Sequence, residues 1–385
     1  MLYGTRAWVA LLLLSSPVVA FAQADPGQGA ATPQAATAPT VAATARPAEP
    51  ASPPPWYKAV TFSGSVDAYY QLRLDAAQDA ALQQRAFDAP TGFTLGQALL
   101  SSALAPAPAG FRVDLDFGNT ASVVDAVSAA AAGTGTPTIG YHVLQAYAAL
   151  KLGPAQLDVG RFVTSAGAEV VPAKDDWLYS RSLLFNLIPI THTGARVTVP
   201  VTSTLTAQAA VVNGWDTVST SYAGKTGEMQ LAYAGPSSTT VALTSYVGPN
   251  PTLWSGAPNA AHDWRTLVDL VAGTALNQLA LNLNLDWGNE SGDNWYGASL
   301  MARYSLPGNH LRITGRGEYV RDDSGVRFGT GTGTDVWEAT AGLSAPVASS
   351  AELRLEFRLD KASQNIFTPG KDTQATATLA ALAWF

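Results

Sequence analysis

Near the end of the chain, charged residues recur at every second position: Glu352, Arg354, Glu356, Arg358 and Asp360, separated by Leu353, Leu355, Phe357 and Leu359. Arg312, Arg316 and Glu318 keep the same two-residue phase, as do Arg112, Asp114 and Asp116. Arg196 and Arg303 fall on the same polar face of their own segments. Cations and anions on one face of a strand, with apolar side chains on the other, make a wet wall that sorts ions and dipoles by its field. Some of these charges must pair across strands, as Glu356 and Arg316 would. Reaction chemistry has little to build on. The histidines, His142, His192, His262 and His310, are scattered without metal-site spacing. His142 is the one candidate for a hydrolytic group at a rim. No phosphate-binding loop is present and there is no cysteine, so no cofactor is implied.

A second group of candidates lies in one long connection, residues 164–191, TSAGAEVVPAKDDWLYSRSLLFNLIPIT. It is too apolar to be left in water. It is expected to fold inward and narrow whatever space the wall encloses. Glu169, Asp175 and Asp176 would then face Arg161, Arg181 or Arg196 across a transverse field. His192 would hydrogen-bond this connection to the wall. The competing reading is an external lid or a contact between protomers.

These residues require strands to position them, and strands are what the pattern gives. Phe62, Val66, Ala68, Tyr70 and Leu72 alternate with Ser63, Ser65, Asp67, Gln71 and Arg73; Leu279, Leu281, Leu283, Leu285 and Trp287 alternate with Gln278, Asn282, Asn284 and Asp286. Charge at every second residue excludes a sandwich core on that face. About sixteen such segments are present. Tight turns are expected at 105–109, 153–154, 200–203, 235–238, 273–276, 307–309 and 346–350. Longer connections are expected at 75–92, 118–138, 164–191, 213–226, 248–262, 288–294, 322–334 and 361–372. Strict alternation of tight turn and long loop is the habit of an antiparallel up-and-down barrel spanning an outer membrane. The segments 93–104 and 263–272 are the weakest, and losing one hairpin would leave fourteen strands. A barrel of sixteen is wide enough to hold a water-filled channel.

The last segment, Thr373 to Phe385, ends on an aromatic carboxyl terminus. A soluble edge strand ending so would leave its backbone unpaired. In a closed barrel it pairs with the first strand, and Trp384 and Phe385 sit at headgroup level. The ending resembles the C-terminal signal read by the barrel assembly machinery of bacterial outer membranes.

Composition agrees. Only 13% of residues are charged against 47% hydrophobic, where a soluble chain carries about 25% charged. The net charge of −7 argues against nucleic acid as a partner. Residues 1–22 resemble a secretory signal peptide, with Arg6 ahead of an apolar run and Ala20-Phe21-Ala22 at the cleavage site, or a cut after Ala24. Residues 23–55, rich in Ala, Pro and Thr, are read as a disordered periplasmic linker. Residues 56–385 are read as the barrel.

The segments GSVDAYYQ (64–71), LDVGRFVTSAGAEV (157–170), YSRSLLFNLIPITHTGARV (179–197) and VVNGWD (211–216) resemble the β-barrel porin family described as OmpL-like. The resemblance runs with gaps from about Phe62 to Phe385, and implies an outer-membrane porin-like barrel of ill-defined substrate. Asp175-Asp176-Trp177-Leu178 departs from the Asn-rich approach expected before the YSRS run. The expected function is passive diffusion of small hydrophilic solutes through a lumen narrowed by the third long connection. The partners expected are outer-membrane lipid, those solutes and two further copies in a homotrimer. The alternatives are a plugged barrel serving as an anchor or interaction scaffold, and an outer-membrane enzyme.

Overall fold

The computed structural model describes residues 55–75, 82–131, 142–220, 224–236, 238–249, 264–368 and 370–385. The signal-peptide and linker segments, apart from Pro55, lie outside the described residues.

Sixteen strands follow one another in chain order: β1 (Thr61–Arg73), β2 (Gly92–Leu104), β3 (Ala109–Phe117), β4 (Val143–Leu152), β5 (Ala155–Val163), β6 (Thr191–Pro200), β7 (Leu205–Val212), β8 (Thr226–Ala234), β9 (Thr240–Pro249), β10 (Trp264–Leu276), β11 (Leu279–Glu290), β12 (Asp293–Ser305), β13 (Arg312–Asp322), β14 (Thr334–Ala348), β15 (Ala351–Ala362) and β16 (Thr373–Trp384). Each pairs antiparallel with its neighbours, and β1 closes on β16 with Ser65 opposite Trp384. Closure leaves no edge, so every strand finds backbone partners on both sides, as a hydrocarbon surround requires. The segments of weakest alternation are both strands, β2 and β10, so the count is sixteen and not fourteen.

The alternation sorts side chains as the pattern demands. On β15 Glu352, Arg354, Glu356, Arg358 and Asp360 are buried inside, while Leu353, Leu355, Phe357 and Leu359 are exposed outside. Outward aromatics gather near both rims: Phe62, Tyr233, Tyr304 and Phe385 at the rim carrying the termini, and Phe93, Phe117, Trp287, Tyr296 and Trp337 at the other. Girdles flanking an apolar band are the outer surface of a transmembrane barrel. Phe385 completes the closure, its amide donating to the Gly64 carbonyl at 3.0 Å and its carbonyl accepting from the Gly64 amide at 3.2 Å. Its ring lies over Gly64, where an added Cβ would stand 2.7 Å from it.

Three local expectations are corrected. The connection 118–138 holds a helix, α1 (Asn119–Ala131), which buries Ala121, Val124 and Ala129. The stretch 288–294 is no long loop: β11 runs to Glu290 and β12 starts at Asp293. Ser291 and Gly292, at φ of 54° and 105°, form the two-residue turn that strand twist favours. The turn placed at 273–276 shifts to Asn277-Gln278, because β10 continues to Leu276.

Candidate functional site

The connection between β5 and β6, residues 164–190 and hereafter loop three, enters the lumen. It contains two short 3₁₀ turns, Ala173–Asp175 and Leu184–Leu187, and otherwise no regular structure. An irregular buried segment must find partners for its amides and carbonyls. The charged wall supplies them. The Glu356 carboxylate accepts the Tyr179 amide at 2.8 Å, and Glu318 accepts the amides of Leu183 and Leu184 at 2.6 and 2.8 Å. Arg354 donates to the carbonyls of Ala173 and Leu178 at 2.7 and 3.2 Å, Arg316 donates to Ser180 at 2.9 Å, and Arg358 donates to the Arg181 carbonyl. Nearer its start the loop meets β9, where the Tyr246 hydroxyl accepts the Ser165 amide at 3.1 Å, and β11, where Asn284 accepts the Ala168 amide at 3.1 Å.

Of the ion pairs expected from the sequence, Asp176 with Arg181 forms, and the others differ. Glu169 reaches Arg316 on β13 at 2.7 Å, and Arg316 also holds Glu338 at 2.9 Å. Glu356 does not pair with Arg316; its oxygens take loop amides instead. Asp175 pairs with its neighbour Lys174 at 2.7 Å, and Asp176 pairs with Arg181 inside the loop at 2.8 Å. Arg181 also donates to the carbonyls of Val170 and Val171 at 2.8 and 2.6 Å. Arg196 stays on the wall, 3.0 Å from Asp158 and over the Phe162 ring at 4.2 Å. Arg161 donates to Ser128 of α1 and to Thr191 at 3.1 and 3.3 Å. Arg303 lies over Trp177 at 5.9 Å. Arg312 meets Glu352 at 3.0 Å near the termini-bearing rim. His192 does not bond loop three: its Nδ1 lies 3.1 Å from the Gly214 carbonyl, and its ring stacks on Tyr246 at 4.9 Å. Burial pushes the Asp176 carboxyl up to about 7 against the pull of Arg181, with Glu169 adding to the rise. His142 stands 3.6 Å from Asp125 and against the Phe117 ring.

Spacing also missed partners from distant strands. Tyr179 donates to Asp67 of β1 at 2.6 Å. Gly96 makes room for that bond, since a Cβ there would lie 2.0 Å from the Asp67 carboxylate and 2.3 Å from the Tyr179 hydroxyl. Arg85, from the first long connection, bridges Asp88 at 2.7 Å and Asp360 at 3.3 Å.

Two environments result. Toward the rim away from the termini, Leu183, Leu184, Phe185 and Ile188 of loop three pack with Phe87, Val124, Trp215, Trp295, Phe328 and Phe367 into one apolar cluster. Toward the other rim, on the flank from β3 to β9, a cavity of about 350 Å³ remains between loop three and a wall that mixes amides and hydroxyls with Leu144, Ala232, Tyr233 and Ala242.

A family model described as "Putative beta-barrel porin-2, OmpL-like" matches residues 59–385. The chain belongs to this family. It is an outer-membrane porin-type barrel of bacteria, and the solved structures like it are of the same kind. OprB of Pseudomonas putida, in its high-pH structure, superposes with a TM-score of 0.57 at 13% identity, covering 86% of this porin chain and 95% of its own. OmpT of Vibrio cholerae gives 0.56 at 11%, covering 85% and 97%. The anion-selective porin of Comamonas acidovorans gives 0.54 at 12%, covering 85% and 99%. At such identities the likeness concerns the fold. No curated protein matches this porin chain.

Proposed function

We propose that the protein is a passive diffusion channel for small hydrophilic solutes, with loop three as its constriction and no chemical step. The observation that carries this reading is the uneven filling of the lumen. Loop three is tied to β13 and β15 by buried charge, while the flank from β3 to β9 keeps a cavity of about 350 Å³ beneath it, to which the wall contributes Gln145, Thr198, Gln208 and Gln230. A wall built only to support the outer surface has no use for an unfilled flank with amides and hydroxyls in it. Loop three with Glu169, Asp176 and Arg181 sets the width; the wall pairs around Arg316, Arg354 and Arg358 set the field. The C-terminal strand with its outward Phe385 is the proposed handle for the barrel assembly machinery. Outer-membrane lipid surrounds the band, and the proposed assembly is a homotrimer, a form reported for OmpT of Vibrio cholerae.

The apolar cluster at the far mouth favours a second reading, a plugged barrel that anchors or presents its outer connections to a partner. Single-channel recording of the refolded full barrel in a planar bilayer separates the two. Steady open steps, with a reversal potential across a KCl gradient, are expected of the channel. A folded barrel that stays silent overturns it in favour of the plug.

A further inference from the structure

The cavity on the flank from β3 to β9 has two unlike faces. One is the first half of loop three, which presents Ala166, Ala168, Val170, Val171 and Pro172. The other is the barrel wall, which presents Gln145 of β4, Thr198 of β6, Gln208 of β7 and Gln230 of β8. Thr198 donates to the Gln208 carbonyl at 3.1 Å, and the Gln208 amide in turn donates to Glu228 at 2.7 Å. Gln230 is fixed through its own amide, to the Ser165 carbonyl at 2.8 Å and Thr244 at 3.0 Å. These bonds hold the side-chain amides in fixed orientations, so the wall is organised before any solute arrives.

The charged residues that line the cavity are already matched, and Glu228, behind the lining, takes the Gln208 amide. Asp114 is met by Arg112 at 2.9 Å and by the Gln145 amide at 2.6 Å. Glu169 is met by Arg316 at 2.7 Å and Asp175 by Lys174 at 2.7 Å. An ion moving from water into a space whose charges are spent on one another gives up hydration and gains no counter-charge. A neutral solute carrying many hydroxyls gives up much less. It finds the carbonyls of Gln208 and Gln230 and the hydroxyls of Ser203, Thr204 and Thr206 along the wall, and its C–H faces find an aliphatic surface on loop three. The volume lies at the small-molecule end of the ordinary range of roughly 300–1,000 Å³ for ligand pockets.

We propose that this cavity is a binding subsite for a neutral, hydroxyl-rich solute the size of a single sugar ring. The inference rests on the channel reading only for the route by which the solute arrives.

The test is saturation-transfer NMR on the full barrel folded in detergent, with three probes of matched size: glucose, its anionic relative glucuronate and its cationic relative glucosamine. Saturable transfer to glucose is expected, with transfer to both charged relatives at least about tenfold weaker. Gln208→Leu weakens glucose about tenfold, the loss expected for one hydrogen bond between neutral groups. Ala242→Phe fills the cavity from a wall position on β9 and abolishes the glucose signal while the barrel keeps its heat-resistant migration on a gel; it decides the matter if Gln208→Leu does not fold. Equal transfer to all three probes, preference for either ion, or glucose transfer unchanged by Ala242→Phe overturns the proposal. Absence of glucose transfer overturns it too, even where bilayer recordings show open steps, in which case the channel reading stands. Glucose transfer in a barrel that never conducts leaves the subsite and removes the channel.

Discussion

Replacing Arg316 by leucine tests whether wall charge holds loop three in place. The guanidinium is wholly buried and makes ion pairs with Glu169 and Glu338 at 2.7 and 2.9 Å and a hydrogen bond to the Ser180 carbonyl at 2.9 Å. Removing one partner of a buried ion pair costs roughly 3–5 kcal/mol, because the opposite charge stays behind without a counter-ion. Glu338 keeps Arg358 at 3.7 Å, and Glu169 keeps the Ser182 amide at 2.7 Å, so the lower end applies. About 3 kcal/mol corresponds to roughly two powers of ten at 1.36 kcal/mol per power. The cost falls on the docked state alone, since an undocked loop leaves both carboxylates to water. Amides of Ser182 and Leu183 are therefore expected to exchange with solvent about a hundredfold faster in Arg316→Leu, while amides in the middle of β13 to β15 keep their protection. Arg316→Lys, which keeps the charge and loses the fork, falls between. Hydrogen exchange read by mass spectrometry on peptides spanning 176–190 measures this directly. Wild-type exchange in a folded Arg316→Leu barrel refutes the idea that the wall charges clamp the loop.

Three further outcomes follow from particular contacts. The Asp176 carboxyl, raised to about 7 by burial, keeps its proton when docked and loses it when exposed. Between about pH 4 and pH 7 the docked state thus holds more protons, and docking weakens as pH rises through that window; loop-three exchange should speed up accordingly, and Asp176→Asn should flatten the trend. Leu300 faces outward in the middle of β12, so Leu300→Arg should destabilise the barrel by about 2–4 kcal/mol in reversible unfolding from lipid vesicles, and a barrel as stable as wild type would deny that this face meets hydrocarbon. Deleting Phe385 should lower the amount of heat-resistant barrel in cell outer membranes by severalfold and leave refolding in detergent nearly unchanged. Equal loss in both settings would assign Phe385 to closure of the barrel and not to recognition by the assembly machinery.

The strands were legible because a wall with hydrocarbon on one side and water on the other writes the same two-residue period into every crossing. Inward folding of loop three was legible from the apolar run LYSRSLLFNLIP. The Asp176–Arg181 pair was legible too, but the partners on the wall were not, because they depend on how deep the loop descends: Glu169 skips Arg161 and Arg196 and reaches β13. Helix α1 escaped notice because Thr, Ser, Val and Asp within it favour helix only weakly; its packing on the loop-three cluster through Val124 stabilises it. The GNESGDN stretch suited a long loop as well as a tight turn, and only the register of β11 with β12 separates them.

The seat of loop three is built from groups that grip main chain. Glu318, Glu356, Arg354 and Arg358 take hold of main-chain amides and carbonyls, which every residue but proline offers in full. Such a seat reads the path of the chain and ignores most of its lettering. Half-buried side chains that loop three turns toward the β3 to β9 flank, such as Val170, are thereby free to vary while the fastening stays fixed. A library randomised at the half-buried Val170 should keep folding, whereas one randomised at Glu318 and Glu356 should not, which makes that stretch of the loop a replaceable insert in a constant frame.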